Sequence, residues 1–267
     1  MSFKLATVGY APPPHIPAAQ AFMDNLKKFP TKHELLLFSD YDWPGVLKLK
    51  QSPEYYFNPE HKETWPHKFA LNNLLFFTGM RLAIQSGYSH VIYIESDCRV
   101  NKAGWDDVMF TEFFSMGKPL ILGGSVVCYN PANWNRLALE RWQRLVSQNS
   151  SKNIPIPTYG WRSSTETQSP CVFTNGALSV ISMAWIQELF NFADGCVKLS
   201  EHPAPWDFRL GLEIGERFFE ESYDVVGHMG CVYSSYGDVI TSQQDRQGML
   251  TSGKVCAIHQ VKDGWQP

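Results

Sequence analysis

Two acidic side chains separated by one residue, Glu95 and Asp97, directly follow a short apolar run at 90–94 (HVIYI). A run this apolar predicts a strand buried on both faces of a sheet. Ionised carboxylates at the end of a buried strand are costly to desolvate, and a divalent cation would offset that cost. Carboxylate oxygens suit Mg²⁺, Mn²⁺ and Ca²⁺. The spacing therefore indicates a cation site, with solvated acids that simply end a strand as the alternative.

Strand and helix patterns alternate through the first half of the chain, and they must position this site. Strands are predicted at 3–9, 34–39, 90–94 and 119–122, and helices at 17–29, 67–86 and 104–116. This order predicts an α/β fold with a mixed, mainly parallel central sheet flanked by helices. Ligands bind such sheets beyond the carboxyl ends of the strands. In this sequence those ends carry Tyr10, Asp40, Glu95 and Asp97.

The second half of the chain is less regular. Strands are predicted at 172–182, near 223–227, near 230–234 and at 255–258, and helices at 131–148, 183–194 and about 205–219. The polar, proline-rich segment 149–170 has no periodicity and is predicted to be a long loop, either functional or mobile. The last predicted strand ends immediately before His259.

The segment 68–100 (KFALNNLLFFTGMRLAIQSGYSHVIYIESDCRV) resembles the GT-A family of nucleotide-sugar glycosyltransferases. The resemblance lies in a helix with Lys and Asn on it, a turn with glycine, and a buried strand that enters an Asp-x-Asp-like motif. It implies a Rossmann-like GT-A fold, with Asp97 as the ligand of a metal that bridges the donor's diphosphate. Glu95 is then the accessory acid and metal ligand, and it departs from the family by standing where Asp is usual.

The end of the chain adds to this resemblance. Many metal-dependent members place a C-terminal His on the same metal, followed by a Lys that holds phosphates. The tail His259-Gln-Val-Lys262 matches that pattern, and imidazole is a common ligand of Mn²⁺-class metals. The resemblance thus implies His259 as a metal ligand and Lys262 as a phosphate contact.

The segment Pro205-Trp206-Asp207 looks like the acidic helix start that contacts the acceptor in many members. Asp207 is then the candidate general base of an inverting reaction. The alternative is an Asp that only complements a helix dipole. Trp206 beside it either stacks on a sugar ring or belongs to the core.

The nucleotide end of the site follows from the same resemblance. It implies donor contacts from four residues in the first half of the chain, namely Tyr10, Asp40, Lys68 and Asn72. Arg99 is a further candidate for the donor sugar or phosphate. Polar residues at strand ends also occur without any ligand, and that alternative holds for each of them.

The resemblance as a whole implies one domain over 1–267, with a nucleotide-binding half at 1–100 and an acceptor-binding half at 101–267. It implies an enzyme that uses Mn²⁺ or Mg²⁺, a UDP- or GDP-linked sugar donor and a carbohydrate or other hydroxyl acceptor, whether by retention or by inversion. The alternatives are a non-catalytic sugar- or nucleotide-binding protein and a sugar-nucleotide pyrophosphorylase. The pyrophosphorylase family carries a Gly-rich, Arg-containing loop after its first strand, where this chain has Ala11-Pro-Pro-Pro14.

Composition sets broader limits on the protein. With 267 residues, 44% hydrophobic and 18% charged, the chain excludes disorder, coiled coil and collagen. A net charge of −3 gives no basic footprint for nucleic acid. No apolar run reaches the length of a transmembrane segment, and no leader pattern is visible, so a cytoplasmic protein with reduced cysteines is expected. Dehydrogenase, P-loop, α/β-hydrolase and zincin motifs are all missing.

Overall fold

A computed structural model describes residues 3–49, 70–117, 120–123, 126–129, 158–159, 172–174, 178–192, 206–207, 210, 226–229, 231–233, 247–248, 251, 253 and 255–259. Its strands are β1 (Leu5–Tyr10), β2 (Glu34–Ser39), β3 (Leu47–Lys48), β4 (His90–Ile94), β5 (Arg99–Val100), β6 (Ile121–Gly123), β7 (Val126–Tyr129), β8 (Thr158–Tyr159), β9 (Val172–Thr174), β10 (Leu178–Ser182), β11 (Val226–His228), β12 (Val232–Tyr233) and β13 (Ala257–Ile258). Its helices are α1 (Pro17–Lys28), α2 (Ala70–Gln85), α3 (Trp105–Ser115) and α4 (Met183–Phe192).

The central sheet has seven strands in the order β11-β6-β10-β4-β1-β2-β3. The run β4-β1-β2-β3 is parallel throughout. β10 is antiparallel to both of its neighbours, β4 and β6, whereas β11 is parallel to β6. The predicted α/β class with a mixed, mainly parallel sheet is therefore confirmed.

Helices cover both faces of this sheet. Val91 and Tyr93 of β4 belong to a buried cluster with side chains of α2 and α4. Ile92 and Ile94, which point the opposite way, belong to a second cluster with α1 and α3. Burying one such side chain contributes roughly 1.5–3 kcal/mol. β4 is buried on both faces, as its apolar sequence predicts, and this fixes the point where Glu95 leaves the sheet.

β1 and β4 approach each other closely at Gly9. A Cβ built on Gly9 would lie 2.7 Å from the carbonyl oxygen of Ile94 and 2.8 Å from its Cγ2. Only glycine fits this contact without a shift of the backbone. The close approach lies one residue before Glu95.

Helix α1 begins at Pro17, which suits a first-turn position because its missing N–H needs no partner there. Its buried residue Asn25 connects the helix to β5. The Asn25 amide donates to the carbonyl of Val100 at 2.9 Å, and its Oδ1 accepts from the Val100 N–H at 2.8 Å. The strand that follows Asp97 is thereby fixed against the first helix.

A small second sheet, in the order β12-β13-β5, brings the end of the chain to the same place. β13 is antiparallel to β5, with Ile258 opposite Arg99, and β12 is parallel to β13. This pairing places His259, directly after β13, beside the turn that contains Asp97.

The remaining predicted elements have mixed outcomes. The predicted strand 172–182 is two strands: β9 pairs with β7 in a third sheet, and β10 lies in the central sheet. Trp206, Asp207 and Leu210 are helical, as predicted. The predicted helix at 131–148 lies outside the described residues, as does the loop 149–170 apart from β8. No described helix has the length and apolarity to cross a membrane. The division into two functional halves stays a prediction.

Candidate functional site

The turn that follows β4 is held by its own arginine. The N–H of Cys98 donates to the carbonyl of Glu95 at 3.0 Å. Arg99 is completely buried, and its guanidinium donates to the carbonyls of Ser96 at 2.9 Å, Cys98 at 2.7 Å and Ala18 at 3.4 Å. Arg99 was a candidate for the donor sugar or phosphate. Its guanidinium instead binds the backbone, where it clamps the acidic turn to the start of α1.

Glu95, Asp97 and His259 form a cluster at this edge of the sheet. One candidate ligand atom from each lies within 4.8 Å of those from the other two. Nε2 of His259 lies 3.5 Å from Oδ1 of Asp97. The His259 side chain is 8% exposed and that of Asp97 23%. Two carboxylates and one imidazole, partly open to solvent, are a donor set that fits Mn²⁺ or Mg²⁺.

The charges in this cluster shift each other's protonation. Burial raises the pKa of Glu95, the negative charge of Asp97 raises it further, and the pKa reaches about 7 against an ordinary 4.5. Burial by itself lowers the pKa of His259, but the carboxylates of Asp97, Glu95 and Asp207 raise it overall. Three acids face one imidazole, and a bound cation would relieve the repulsion between the acids.

Asp207, the candidate base, lies near the cluster. It is 8% exposed, and its charge raises the pKa of both Glu95 and His259. The structure thus places Asp207, from a separate part of the chain, within electrostatic range of Glu95 and His259.

Trp206 is a core residue, which settles the two alternatives for its ring. It is 3% exposed. The indole stacks on Phe76 with ring centroids 3.7 Å apart and planes 6° from parallel, and it meets Tyr93 edge-on at 5.4 Å. Its Nε1 donates to Oε1 of Glu95 at 3.3 Å. The ring packs against protein and does not face a ligand, whereas its N–H contacts the site.

Tyr10 and Asp40 end adjacent strands and contact each other. The Tyr10 hydroxyl donates to Oδ1 of Asp40 at 2.5 Å. Burial raises the pKa of Tyr10, and the bond to Asp40 raises it further, so the hydroxyl stays a donor. The neighbouring proline-rich loop is fixed by Ser39 Oγ donating to the Ala11 carbonyl at 2.6 Å and by Trp43 Nε1 donating to the Pro12 carbonyl at 2.8 Å.

A pocket of about 290 Å³ joins the two ends of the site. Its lining residues come from the ends of β1 and β4, from α1 and from α2: Tyr10, Ala18, Leu75, Tyr93, Ile94, Glu95, Ser96 and Asp97. Tyr10 and the acidic pair therefore face one cavity. Leu75 and Tyr93 were missed as lining residues, because both lie in apolar runs that predict only core packing.

Three of the expected donor contacts cannot be placed. Lys68 and Lys262 lie outside the described residues, as does the side chain of Asn72, whose backbone belongs to α2. They stay predictions.

No protein-family model and no curated protein matches the chain. Many solved structures resemble it loosely, among them the following three. The galactosyltransferase LgtC in complex with donor and acceptor sugar analogs is 9% identical, with a TM-score of 0.45 over 95% of this chain and 86% of its own. Mouse xyloside xylosyltransferase 1 is 10% identical, with a TM-score of 0.46 over 96% of this chain and 97% of its own.

The third is a glycosyltransferase involved in the glycosylation of the major capsid of PBCV-1. It is 9% identical, with a TM-score of 0.46 over 96% of this chain and 91% of its own. Each TM-score is below 0.5, so these similarities carry no functional argument.

Proposed function

We propose that this protein is a metal-dependent glycosyltransferase that moves a sugar from a nucleotide diphosphate sugar to an acceptor hydroxyl. The observation that carries the proposal is the convergence of Glu95, Asp97 and His259 at the carboxyl edge of the central sheet. These residues come from two distant segments that only the fold unites. The pocket that Glu95 and Asp97 line extends to Tyr10, which gives room for a ligand larger than an ion.

Asp97 and His259 would hold the metal, Mn²⁺ or Mg²⁺, with Glu95 as the accessory acid. The bound ion would supply Lewis-acid stabilisation of the departing diphosphate. The fold holds both proposed ligands in place before a metal binds. The Arg99 clamp fixes the turn of Asp97, and the pairing of β13 with β5 fixes His259. Lys262 is proposed as a further phosphate contact.

Tyr10 and Asp40 would contact the nucleoside part of the donor, with Lys68 and Asn72 beside them. The hydrogen bond between Tyr10 and Asp40 supports this role, because it fixes both side chains before a ligand arrives. Asp40 keeps its second carboxylate oxygen, which could accept a bond from a base or a ribose hydroxyl.

Asp207 would accept the proton of the acceptor hydroxyl if the reaction inverts the sugar. Its position near the acidic cluster supports this role, because a general base must lie within reach of the proton that it accepts. In a retaining reaction no protein base is needed at this point. The stereochemistry of the product therefore decides the role of Asp207.

The proposal is tested by calorimetric titration of the protein with UDP and with GDP, each in the presence and absence of Mn²⁺. Turnover assays with UDP- and GDP-sugars follow. Wild-type protein should bind one of the two nucleotides only in the presence of Mn²⁺, and Asp97→Asn should lose that binding. Asp24→Asn is the matched control, since Asp24 is exposed on α1 and bonds only to the nearby Gln20 among the contacts described. Binding without dependence on metal would contradict the metal assignment. Metal-dependent binding without turnover would favour a non-catalytic binding protein.

A further inference from the structure

We propose that Trp206 is a positioning residue that holds the Glu95 carboxylate in the orientation needed to ligate a divalent cation together with Asp97 and His259. The inference rests on the proposed metal site and assigns a role that the sequence alone did not give to Trp206. It starts from a hydrogen bond of the indole, Nε1 to Oε1 of Glu95 at 3.3 Å.

The indole N–H is a rigid donor. It carries one proton, lies in the plane of the ring and cannot accept a bond in return. Its direction is therefore set by the ring, and the ring is fixed by its neighbours. Phe76 of α2 stacks on it at 3.7 Å, and Tyr93 of β4 meets it edge-on at 5.4 Å. With only 3% of the residue exposed, the donor has little freedom to move.

Glu95 needs such a restraint more than Asp97 does. A glutamate has one more rotatable bond than an aspartate, and ordering its side chain costs conformational entropy. At Glu95 the bond from Trp206 fixes one carboxylate oxygen and so restricts the rotation of the group. The carboxylate still reaches to within 4.8 Å of the ligand atoms of Asp97 and His259. The entropic cost is then met on folding and not on metal binding.

Trp206 also connects Glu95 with Asp207. Trp206 immediately precedes Asp207 in the chain, so the stack on Phe76 that orients the indole also restricts the backbone that carries Asp207. Trp206 does not itself touch the reacting groups of the proposed reaction. Its effect passes through Glu95, as the effect of outer-shell partners passes through metal ligands in other proteins.

A double-mutant cycle with Mn²⁺ as the ligand tests this role. The variants are Trp206→Phe, Glu95→Ala and the double substitution, each titrated with Mn²⁺ alone by calorimetry. Phenylalanine keeps an aromatic ring against Phe76 and removes only the N–H donor and part of the ring. We expect Trp206→Phe to weaken Mn²⁺ binding by about tenfold when Glu95 is present, and by less than about twofold when Glu95 is already alanine.

The chain offers a matched control in Trp185. It is also 3% exposed and belongs to the same buried cluster as Trp206, but its Nε1 has no hydrogen-bond partner among the described residues. Trp185→Phe should leave the Mn²⁺ dissociation constant unchanged. If Trp206→Phe fails to fold, 3-benzothienylalanine at position 206 replaces the N–H by sulfur in a ring of nearly the same shape and answers the same question.

The outcomes separate the two proposals. An equal loss of Mn²⁺ affinity in both backgrounds would mean that Trp206 acts only as packing, and would overturn the positioning role while the metal site stands. Wild-type protein that binds no Mn²⁺ would overturn the metal site, and the positioning role with it. A loss of Mn²⁺ affinity that occurs only in the protein that keeps Glu95 supports both the metal site and the positioning role.

Discussion

Nε2 of His259 lies 3.5 Å from Oδ1 of Asp97, although the two residues come from distant parts of the chain. Their proximity depends on two small strands: β5 follows the turn of Asp97, β13 precedes His259, and the two pair antiparallel with Ile258 opposite Arg99. The contact is thus a product of the fold and not of local sequence. It is also the geometry that a shared metal ligand pair requires.

Replacing His259 by alanine should weaken Mn²⁺ binding by more than about tenfold, because the proposed site loses its only nitrogen ligand. The fold should persist, since His259 follows β13 and is not one of the residues that pair with β5. Calorimetry measures the affinity, and circular dichroism checks the fold.

His33 provides the matched control for this substitution. It is a partly buried histidine that also contacts a carboxylate, Asp107, at 3.1 Å, but it precedes β2 at the opposite edge of the sheet. His33→Ala should leave the Mn²⁺ affinity unchanged. If both substitutions weakened Mn²⁺ binding to the same extent, the assignment of His259 as a ligand would be wrong.

Most of the scaffold of the site could be predicted from the sequence. The helix predicted at 17–29 is Pro17–Lys28, and the strand predicted at 90–94 is His90–Ile94. Both have a clear local cause, an amphipathic period after a proline in one and an unbroken apolar run in the other. The acidic pair could be located for the same reason, since it directly follows the buried strand.

The partners of individual side chains could not be predicted in this way. Arg99 looked available for a phosphate, but it is buried among backbone carbonyls that include that of Ala18, far away in sequence. For Trp206 the sequence left both a sugar contact and core packing open, and the stack on Phe76 of α2 places it in the core. The local sequence pattern indicates that a residue is polar or aromatic, whereas its contacts depend on the tertiary fold. The antiparallel direction of β10 was likewise beyond the sequence pattern.

The metal-free protein should lose stability as the pH rises from about 5 to about 8. Glu95 has a folded-state pKa of about 7 against an ordinary 4.5, so between these values the folded state binds more protons than the unfolded state. Unfolding free energy therefore falls with rising pH in this window. The raised pKa of His259 adds a further fall above its ordinary 6.5.

Glu95→Gln isolates this effect, because glutamine has no proton to lose. We compare the unfolding free energies of the two proteins by urea unfolding in the presence of a chelator. The unfolding free energy of Glu95→Gln relative to that of the wild type should rise by on the order of 1–3 kcal/mol from about pH 5 to pH 8. Parallel pH profiles for the two proteins would show that Glu95 does not titrate in this range.

Asn25→Ala should destabilise the fold by about 2–4 kcal/mol, because it leaves both the N–H and the carbonyl of Val100 without their side-chain partner in a buried position. Urea unfolding measures the loss. Gln20→Ala, on the same helix, is the control: Gln20 is exposed and contacts the exposed Asp24, so its removal should cost less than about 0.5 kcal/mol. Equal effects of the two substitutions would show that the bridge from α1 to β5 adds nothing.

Gly9→Ala should damage both the sheet and the site. The added Cβ would lie 2.7 Å from the carbonyl oxygen of Ile94, so β1 and β4 must separate, and overpacking of this kind costs about 1–3 kcal/mol. Because Glu95 follows Ile94 directly, Mn²⁺ affinity should fall as well. Gly248→Ala is the matched control, since its Cβ would meet nothing within 4 Å. Thermal unfolding and Mn²⁺ calorimetry of both variants decide the matter: a Gly9→Ala protein with wild-type stability would mean that the two strands are not packed as closely as described.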